Sequence, residues 1–196
     1  MTTAPTSHPT LAETPGHAHL ADLEGCLDLI NSVELTDGVA EEHLPTVDDV
    51  VAYFTLRGLA HEDALRAEAH QDAQAWLDRV YATRAALREV WDAEVEGRAA
   101  AGAAVDTLNG VLAHSPQPRL RAGLTGVVVD HAHEPDATAE ALARVALSLV
   151  DALAGGDVGR FRICANDGCR LVFEDTSRGG RRRWCDMSSC GNRAKV

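Results

Sequence analysis

Residues 164–193, CANDGCRLVFEDTSRGGRRRWCDMSSCGNR, hold four of the five cysteines of this 196-residue chain. The four form two pairs, each with four residues between its members, and fifteen residues separate the pairs. Two close cysteine pairs joined by a short loop are typical of a four-thiolate zinc site, in which each pair brings two sulfurs to one metal. The spacing therefore predicts one structural zinc ion with four ligands: Cys164, Cys169, Cys185 and Cys190.

Other cysteine chemistries fit this stretch less well. Two disulfides would suit an exported protein, but the first twenty residues have neither the basic start nor the apolar block of a signal peptide. A redox pair is normally Cys-x-x-Cys, which is absent. An iron–sulfur cluster could also use four cysteines, although the interleaved arginines and Trp184 suit a small folded knuckle better. A module this small cannot fold on apolar burial alone, so the metal would supply most of its folding free energy.

Charge divides the chain into two parts. Residues 160–196 carry nine Lys and Arg against four Asp and Glu, a net charge of +5, whereas residues 1–159 carry −17. An acidic body with a basic end predicts two modules with separate roles. We expect a disordered leader over residues 1–19, a regulatory body over 20–156 and a finger over 160–196.

Apolar residues spaced three or four apart predict a mostly helical body. Helices are expected around residues 22–32, after an N-cap at Thr46 and up to Gly58, over 99–112, and over 136–154. Residues 62–96 form either one long helix or two helices joined near His70. The β-branched run VVVDH at 127–131 predicts a small hairpin. The fold class is therefore mainly α with a small β-hairpin (α+β). The Gly155-Gly156 break predicts that the body folds without the finger.

The body shows no catalytic motif. Residues 1–159 contain no glycine-rich phosphate loop and no nucleophile elbow, so we do not expect an enzyme. His131 and His133 lie on one face of the predicted strand with Glu134 beside them and could converge on a metal, but a polar strand end is the simpler interpretation. Cys26 lies on an apolar helix face and is expected to be a small core residue. No run of about 18 apolar residues occurs, which excludes a membrane span and favours a cytoplasmic protein.

The cysteine-rich end resembles the CGNR zinc finger, a name that matches Cys190-Gly191-Asn192-Arg193 in this chain. The resemblance covers the four cysteines and also Phe173, Asp175, Arg182, Arg183, Trp184, Met187 and Lys195. Upstream, CLDLINSVE at 26–34 resembles the start of the ABATE domain, where Leu-Asp-x-x-Asn-Thr is typical and Ser32 replaces the threonine. The resemblance spans about residues 20–196 and implies a small treble-clef-like finger behind a helical regulatory domain.

The resemblance implies a stress-responsive bacterial transcription regulator that binds DNA through its finger. Guanidinium and ammonium groups can bind phosphate or a guanine edge, and the candidate contacts are Arg178, Arg181, Arg182, Arg183, Arg193 and Lys195. Some of them should pair with acids inside the finger, with Asp175 to Arg182 or Arg183 the expected pair. We therefore expect Arg178, Arg181 and Arg193 to be exposed.

The body is expected to sense a small-molecule effector or to dimerise, and Asn31 is the one candidate for contact with a ligand. A protein of another class also fits the sequence, namely an interaction module whose finger serves docking or self-association. The acidic body favours this alternative, because a charge of −17 repels DNA unless it faces away.

Overall fold

A computed structural model describes residues 22–36, 38–133 and 135–193. The predicted leader, Glu134 and Lys195 lie outside the described residues. The described residues form seven α-helices: α1 (Leu23–Asn31), α2 (Val47–Leu56), α3 (Glu62–Ala69), α4 (Ala73–Glu96), α5 (Gly102–Leu112), α6 (Ala137–Ala154) and α7 (Cys190–Arg193). A short 3-10 helix spans Asp157–Arg160.

Six short strands pair as three separate antiparallel hairpins. Their bounds are β1 (Val33–Thr36), β2 (Val39–Glu42), β3 (Gln117–Gly123), β4 (Gly126–Ala132), β5 (Phe161–Ile163) and β6 (Val172–Glu174). The β3–β4 pair is the hairpin predicted from VVVDH. Helices dominate the body and the cysteines lie in a small β-hairpin and helix unit, so the expected fold class is confirmed.

Local signals set the ends of several helices. The Thr46 hydroxyl accepts a hydrogen bond from the Asp49 amide while the Asp49 carboxylate accepts one from the Thr46 amide, which is the predicted capping box. Gly58 ends this segment with φ at +62°, a conformation that glycine adopts without strain. Helix α3 ends before His70, and the Asp72 side chain caps the start of α4, so residues 62–96 form two helices.

The core lies between the two longest helices. Val80, Leu87 and Trp91 point inward from α4, and Leu142 and Leu149 do so from α6. Helix α1 packs against both of them and places Cys26 in the same core, as its position on an apolar face predicts. None of the described helices is long and apolar enough to cross a lipid bilayer.

The core does not stop at the Gly155-Gly156 break. Phe161 at the start of β5 is almost fully buried, and its ring stacks on that of Trp91 with centroids 3.8 Å apart and planes 9° from parallel. The Trp91 indole N–H donates to the Arg162 carbonyl at 3.1 Å. Val172 in β6 belongs to the same core cluster. The Gly155-Gly156 segment is therefore a bend in the backbone, and apolar packing continues from the residues before it to those after it.

Candidate metal centre

The first cysteine pair lies in the turn between β5 and β6. The Cys164 amide donates to the Leu171 carbonyl, and the Cys169 amide donates to the Asn166 carbonyl, both at 2.8 Å. Arg170 follows with φ at +52°, in the left-handed region that non-glycine residues seldom adopt. The turn therefore curls tightly enough to direct both cysteines of the pair to the same side.

The second pair is positioned by the turn that enters α7. Asp186 Oδ1 accepts hydrogen bonds from the amides of Ser188 and Ser189 at 2.6 and 2.9 Å, and the chain turns into the helix at Cys190. Gly191 follows directly. A Cβ atom there would lie 3.0 Å from the Met187 sulfur, so a larger residue would displace the side chain that covers the turn. This close approach explains the glycine in the Cys-Gly-Asn-Arg motif.

The four sulfurs meet in one cluster, with all Sγ atoms within 4.8 Å of one another. Cys185 Sγ lies 3.7 Å from Cys169 Sγ and 3.8 Å from Cys190 Sγ. Four sulfurs placed tetrahedrally about 2.3 Å from a zinc ion are separated by about 3.8 Å from each other. A disulfide would need about 2.05 Å, and all four cysteines are free. The spacing fits one tetrahedral ion and does not fit disulfides.

The thiols of Cys169 and Cys185 resist ionisation when no metal is bound. Burial raises the pKa of Cys169 to about 11 and raises the pKa of Cys185 further still. Burial opposes ionisation of Cys190 too, but the Asn166 side-chain amide, 3.4 Å from its sulfur, and the neighbouring sulfurs lower its pKa. Buried thiolates of this kind need a compensating positive charge, and a divalent metal supplies it.

Asp175 organises the loop between the two pairs. Its carboxylate is fully buried and accepts from the Ser177 hydroxyl and amide at 2.5 and 3.0 Å and from the Arg182 amide at 2.8 Å. These hydrogen bonds, with that of the Ser177 hydroxyl foremost, hold the pKa of Asp175 below its usual value. Arg182 therefore binds the Asp175 carboxylate through its backbone N–H and not through its guanidinium group. The Arg182 guanidinium instead lies over the Phe173 ring and donates to the Cys185 carbonyl.

Replacing Asp175 with alanine should loosen this loop, since three N–H and O–H donors lose their buried acceptor. We expect bound zinc to be lost to a competing chelator at roughly tenfold lower chelator concentration, the scale of effect for groups that orient ligands. Asp167→Ala removes the same charge from an exposed site in the same finger and should leave zinc retention unchanged. Equal zinc retention in the two variants would contradict the role given to Asp175.

Four of the six candidate DNA contacts are exposed: Arg178, Arg181, Arg183 and Arg193. Arg183 lies over the Trp184 ring at 5.1 Å from its centroid. No carboxylate whose position the structure describes forms an ion pair with Arg178, Arg181 or Arg193. The Arg182 guanidinium is half-buried and contacts Phe173 and Cys185, whereas Lys195 lies outside the described residues. Within the described part of the chain, these three exposed arginines therefore form no ion pair.

Asn31, the candidate for ligand contact, has its side-chain amide engaged. Its Nδ2 donates to the Val172 carbonyl and its Oδ1 accepts from the Val172 amide, both at 2.9 Å. The amide thus pairs with the backbone of β6 much as a neighbouring strand would, and it joins α1 to the finger. In the structure this side chain is a bridge between body and finger.

One histidine of the pair in the body lies against an acidic side chain of α6. His133 Nδ1 lies 2.7 Å from Glu140 Oε1, and Glu140 belongs to α6. Within the described part of the chain, the four cysteines form the one group of three or more His, Cys, Asp or Glu residues close enough to share a metal.

A cavity of about 520 Å³ lies beside this histidine, between the α2–α3 connection and the start of α6. Glu140 and Arg144 reach its wall as nearly buried, oppositely charged side chains. The Arg144 guanidinium donates to the Leu59 carbonyl at 2.8 Å, and burial lowers its pKa. The cavity is large enough for a small molecule and combines apolar walls with two charges.

Sequence reasoning did not anticipate Asn166 as a donor to Cys190 or Phe161 and Val172 as core residues. The ANDG segment showed a turn, but nothing local indicated that its asparagine faces a sulfur. The β1–β2 hairpin was not predicted either, although Asp37-Gly38, between VELT and VAEE, is a hairpin signal in the sequence.

Two family models match the chain. The CGNR zinc finger matches residues 160–196, and the ABATE family, described as "Putative stress-induced transcription regulator", matches residues 23–156. The two lie in the order that the sequence resemblance predicts, and that resemblance is confirmed. No curated protein matches the chain.

Proposed function

We propose that this chain, which belongs to the ABATE family and ends in a CGNR zinc finger, is a zinc-dependent DNA-binding transcription regulator. The observation that carries the proposal is a finger built around four clustered thiols on which Arg178, Arg181 and Arg193 are exposed and, among the described side chains, form no ion pair. The family descriptions support a regulator, and the finger offers the chemistry through which a regulator contacts DNA. Such a regulator would act in the bacterial cytoplasm, where the chromosome lies, and the family description ties it to stress.

The proposed cofactor is one structural Zn²⁺ on Cys164, Cys169, Cys185 and Cys190. Four thiolates and one Zn²⁺ sum to −2, so the finger, at +5 from its side chains, remains near +3 when metallated. The acidic body would repel a phosphate backbone. DNA would therefore approach the finger with the body turned away.

In this proposal, residues 20–156 form the regulatory domain and residues 160–196 form the DNA-binding finger. The cavity beside Glu140 and Arg144 is the place where a small polar effector would bind. Strands β5 and β6 pack into the core of the body, so a change in the body has a direct physical connection to the finger.

The arginines give the test of DNA binding. Arg178→Ala, Arg181→Ala and Arg193→Ala should each weaken binding to DNA of any sequence, and each lost phosphate contact should lower the salt slope of log K by about one. An arginine that reads a guanine edge would instead relax specificity at one base pair, by about 1–3 kcal/mol. Fluorescence anisotropy on genomic fragments at two salt concentrations separates these results.

Arg119→Ala is the matched control, because Arg119 is an exposed arginine of the body and its loss changes the net charge equally. It should leave the salt slope unchanged. If the wild-type zinc-loaded chain shows no affinity for DNA, the finger is instead a protein-docking module, the alternative that the acidic body favours.

A further inference from the structure

The β3–β4 hairpin has two chemically different faces. We call residues 117–132 the arm. In its register Leu120 is opposite Val129, and Ala122 is opposite Val127. Opposite residues share a face and successive residues alternate between faces. One face of the arm therefore carries only uncharged side chains: Pro118, Leu120, Ala122, Val127, Val129 and His131. The other face holds Arg119, Arg121, Val128 and Asp130, with Arg121 Nε 2.9 Å from the Asp130 carboxylate.

The apolar face is open to solvent along most of its length. Leu120 is 76 % exposed, Val127 72 % and Val129 53 %, and Leu124 at the tip is fully exposed. None of the arm's residues, all of which are described, belongs to the hydrophobic core or packs against it. A two-stranded hairpin is marginal by itself in water, and an exposed apolar patch of this kind usually marks an interaction surface.

Charge indicates which partner suits this face. The arm carries two arginines and one aspartate, a net charge of +1, while the rest of residues 1–159 carries −18. Two copies of the body would repel each other through almost any other surface. The apolar face of the arm bears no charged side chain, so two arms can meet there without burying a charge.

The size and shape of the arm agree with contact between two copies. A weak interface covers up to about 600 Å² on each partner, so the six residues of the apolar face together with Leu124 at the tip would each need to bury about 85 Å². Pro118 lacks a backbone N–H and thus removes one donor from strand β3, which disfavours addition of a further strand at that edge. Contact is therefore expected through the face of the hairpin.

We propose that the apolar face of the arm packs against the same face of a second copy of this chain and forms a twofold-symmetric dimer. Such an interface is isologous, so every residue of the face contributes twice. The dimer does not depend on DNA binding or on the metal, and each can fail without the other.

Adjacent valines on opposite faces of β4 provide the test. Val129→Lys places a lysine on the apolar face of both copies, and like charges brought together in an interface cost several kcal/mol. We expect the wild-type zinc-loaded chain to dimerise at micromolar concentration and Val129→Lys to weaken the dimer at least about a hundredfold. Val128→Lys is the matched control, since Val128 is 44 % exposed on the polar face of the same strand and should leave the dimer intact.

Sedimentation velocity over a range of chain concentrations gives the readout, and circular dichroism and zinc content show that each variant is folded. A monomeric wild type at about 100 µM would overturn the proposal, because a dimer of micromolar affinity would be mostly formed at that concentration. So would a wild-type dimer that Val129→Lys leaves intact, because that dimer would form elsewhere. Equal weakening by both lysines would exclude face-to-face packing.

Discussion

Cys185→Ser is expected to abolish zinc binding and to unfold the chain between residues 164 and 193. The remaining three thiols cannot complete a tetrahedral site, and structural zinc supplies about 10–16 kcal/mol to small modules of this kind. The sulfur cluster has little apolar support, since among the described residues Phe173, Leu171 and Trp184 are the hydrophobic side chains that pack against the cysteines. Metal analysis should show less than one zinc per chain, and hydrogen exchange should show loss of protection over the finger.

Cys26→Ser is the matched control for this result. Cys26 is the fifth cysteine, fully buried on the inner face of α1, and it lies outside the sulfur cluster. A hydroxyl in an apolar site costs about 1–3 kcal/mol, so this variant should be less stable but should still bind one zinc. One zinc retained by Cys185→Ser, with the finger still protected, would contradict the proposed metal centre.

Phe161→Ala is expected to destabilise the body by about 3–5 kcal/mol, the usual cost of removing a buried aromatic ring from a core. Phe161 stacks on Trp91 and is almost fully buried, although it lies beyond the Gly155-Gly156 break. Urea denaturation followed by tryptophan fluorescence measures the change. For the same reason a chain that ends at Gly156 should be severely destabilised, because it lacks both Phe161 and Val172 and leaves the Trp91 face uncovered.

Phe173→Ala separates this effect from general damage to the finger. Phe173 is also a buried phenylalanine of the β5–β6 hairpin, but it packs against the cysteines and under Arg182. This variant should lose zinc more readily and leave the urea midpoint of the body close to that of the wild type. If Phe161→Ala acts only on zinc retention, as Phe173→Ala is expected to do, the shared core is refuted.

The shared core joins the stability of the finger to that of the body. The contacts that make the connection include the Trp91–Phe161 stack and the paired hydrogen bonds between Asn31 and Val172. The free energy with which the proposed zinc ion stabilises the finger would therefore reach the body through β5 and β6. The chain can therefore have two parts by charge and by family match and still share one cooperative hydrophobic core.

The sequence by itself determined the features that depend on neighbouring residues. Cysteine spacing indicated the four-sulfur cluster, Thr46 and Asp49 indicated the start of α2, and the apolar period of residues 136–154 indicated α6. These signals act over one turn of helix or one tight loop, where the chain has few alternatives. Asp37-Gly38 carried a hairpin signal of the same local kind, and the charged residues around it hid the alternation of the strands.

Only the tertiary structure decided which partners meet across long stretches of chain. Asn31 and Val172 are 141 residues apart and Trp91 and Phe161 are 70 apart, so no local period relates them. The same holds within the finger, where adjacent arginines take different roles: Arg182 lies over Phe173 and Arg181 is exposed. Packing assigns these roles, because a buried ring or carboxylate contacts the polar group that the folded backbone brings next to it. Which group that is depends on distances that the sequence does not contain.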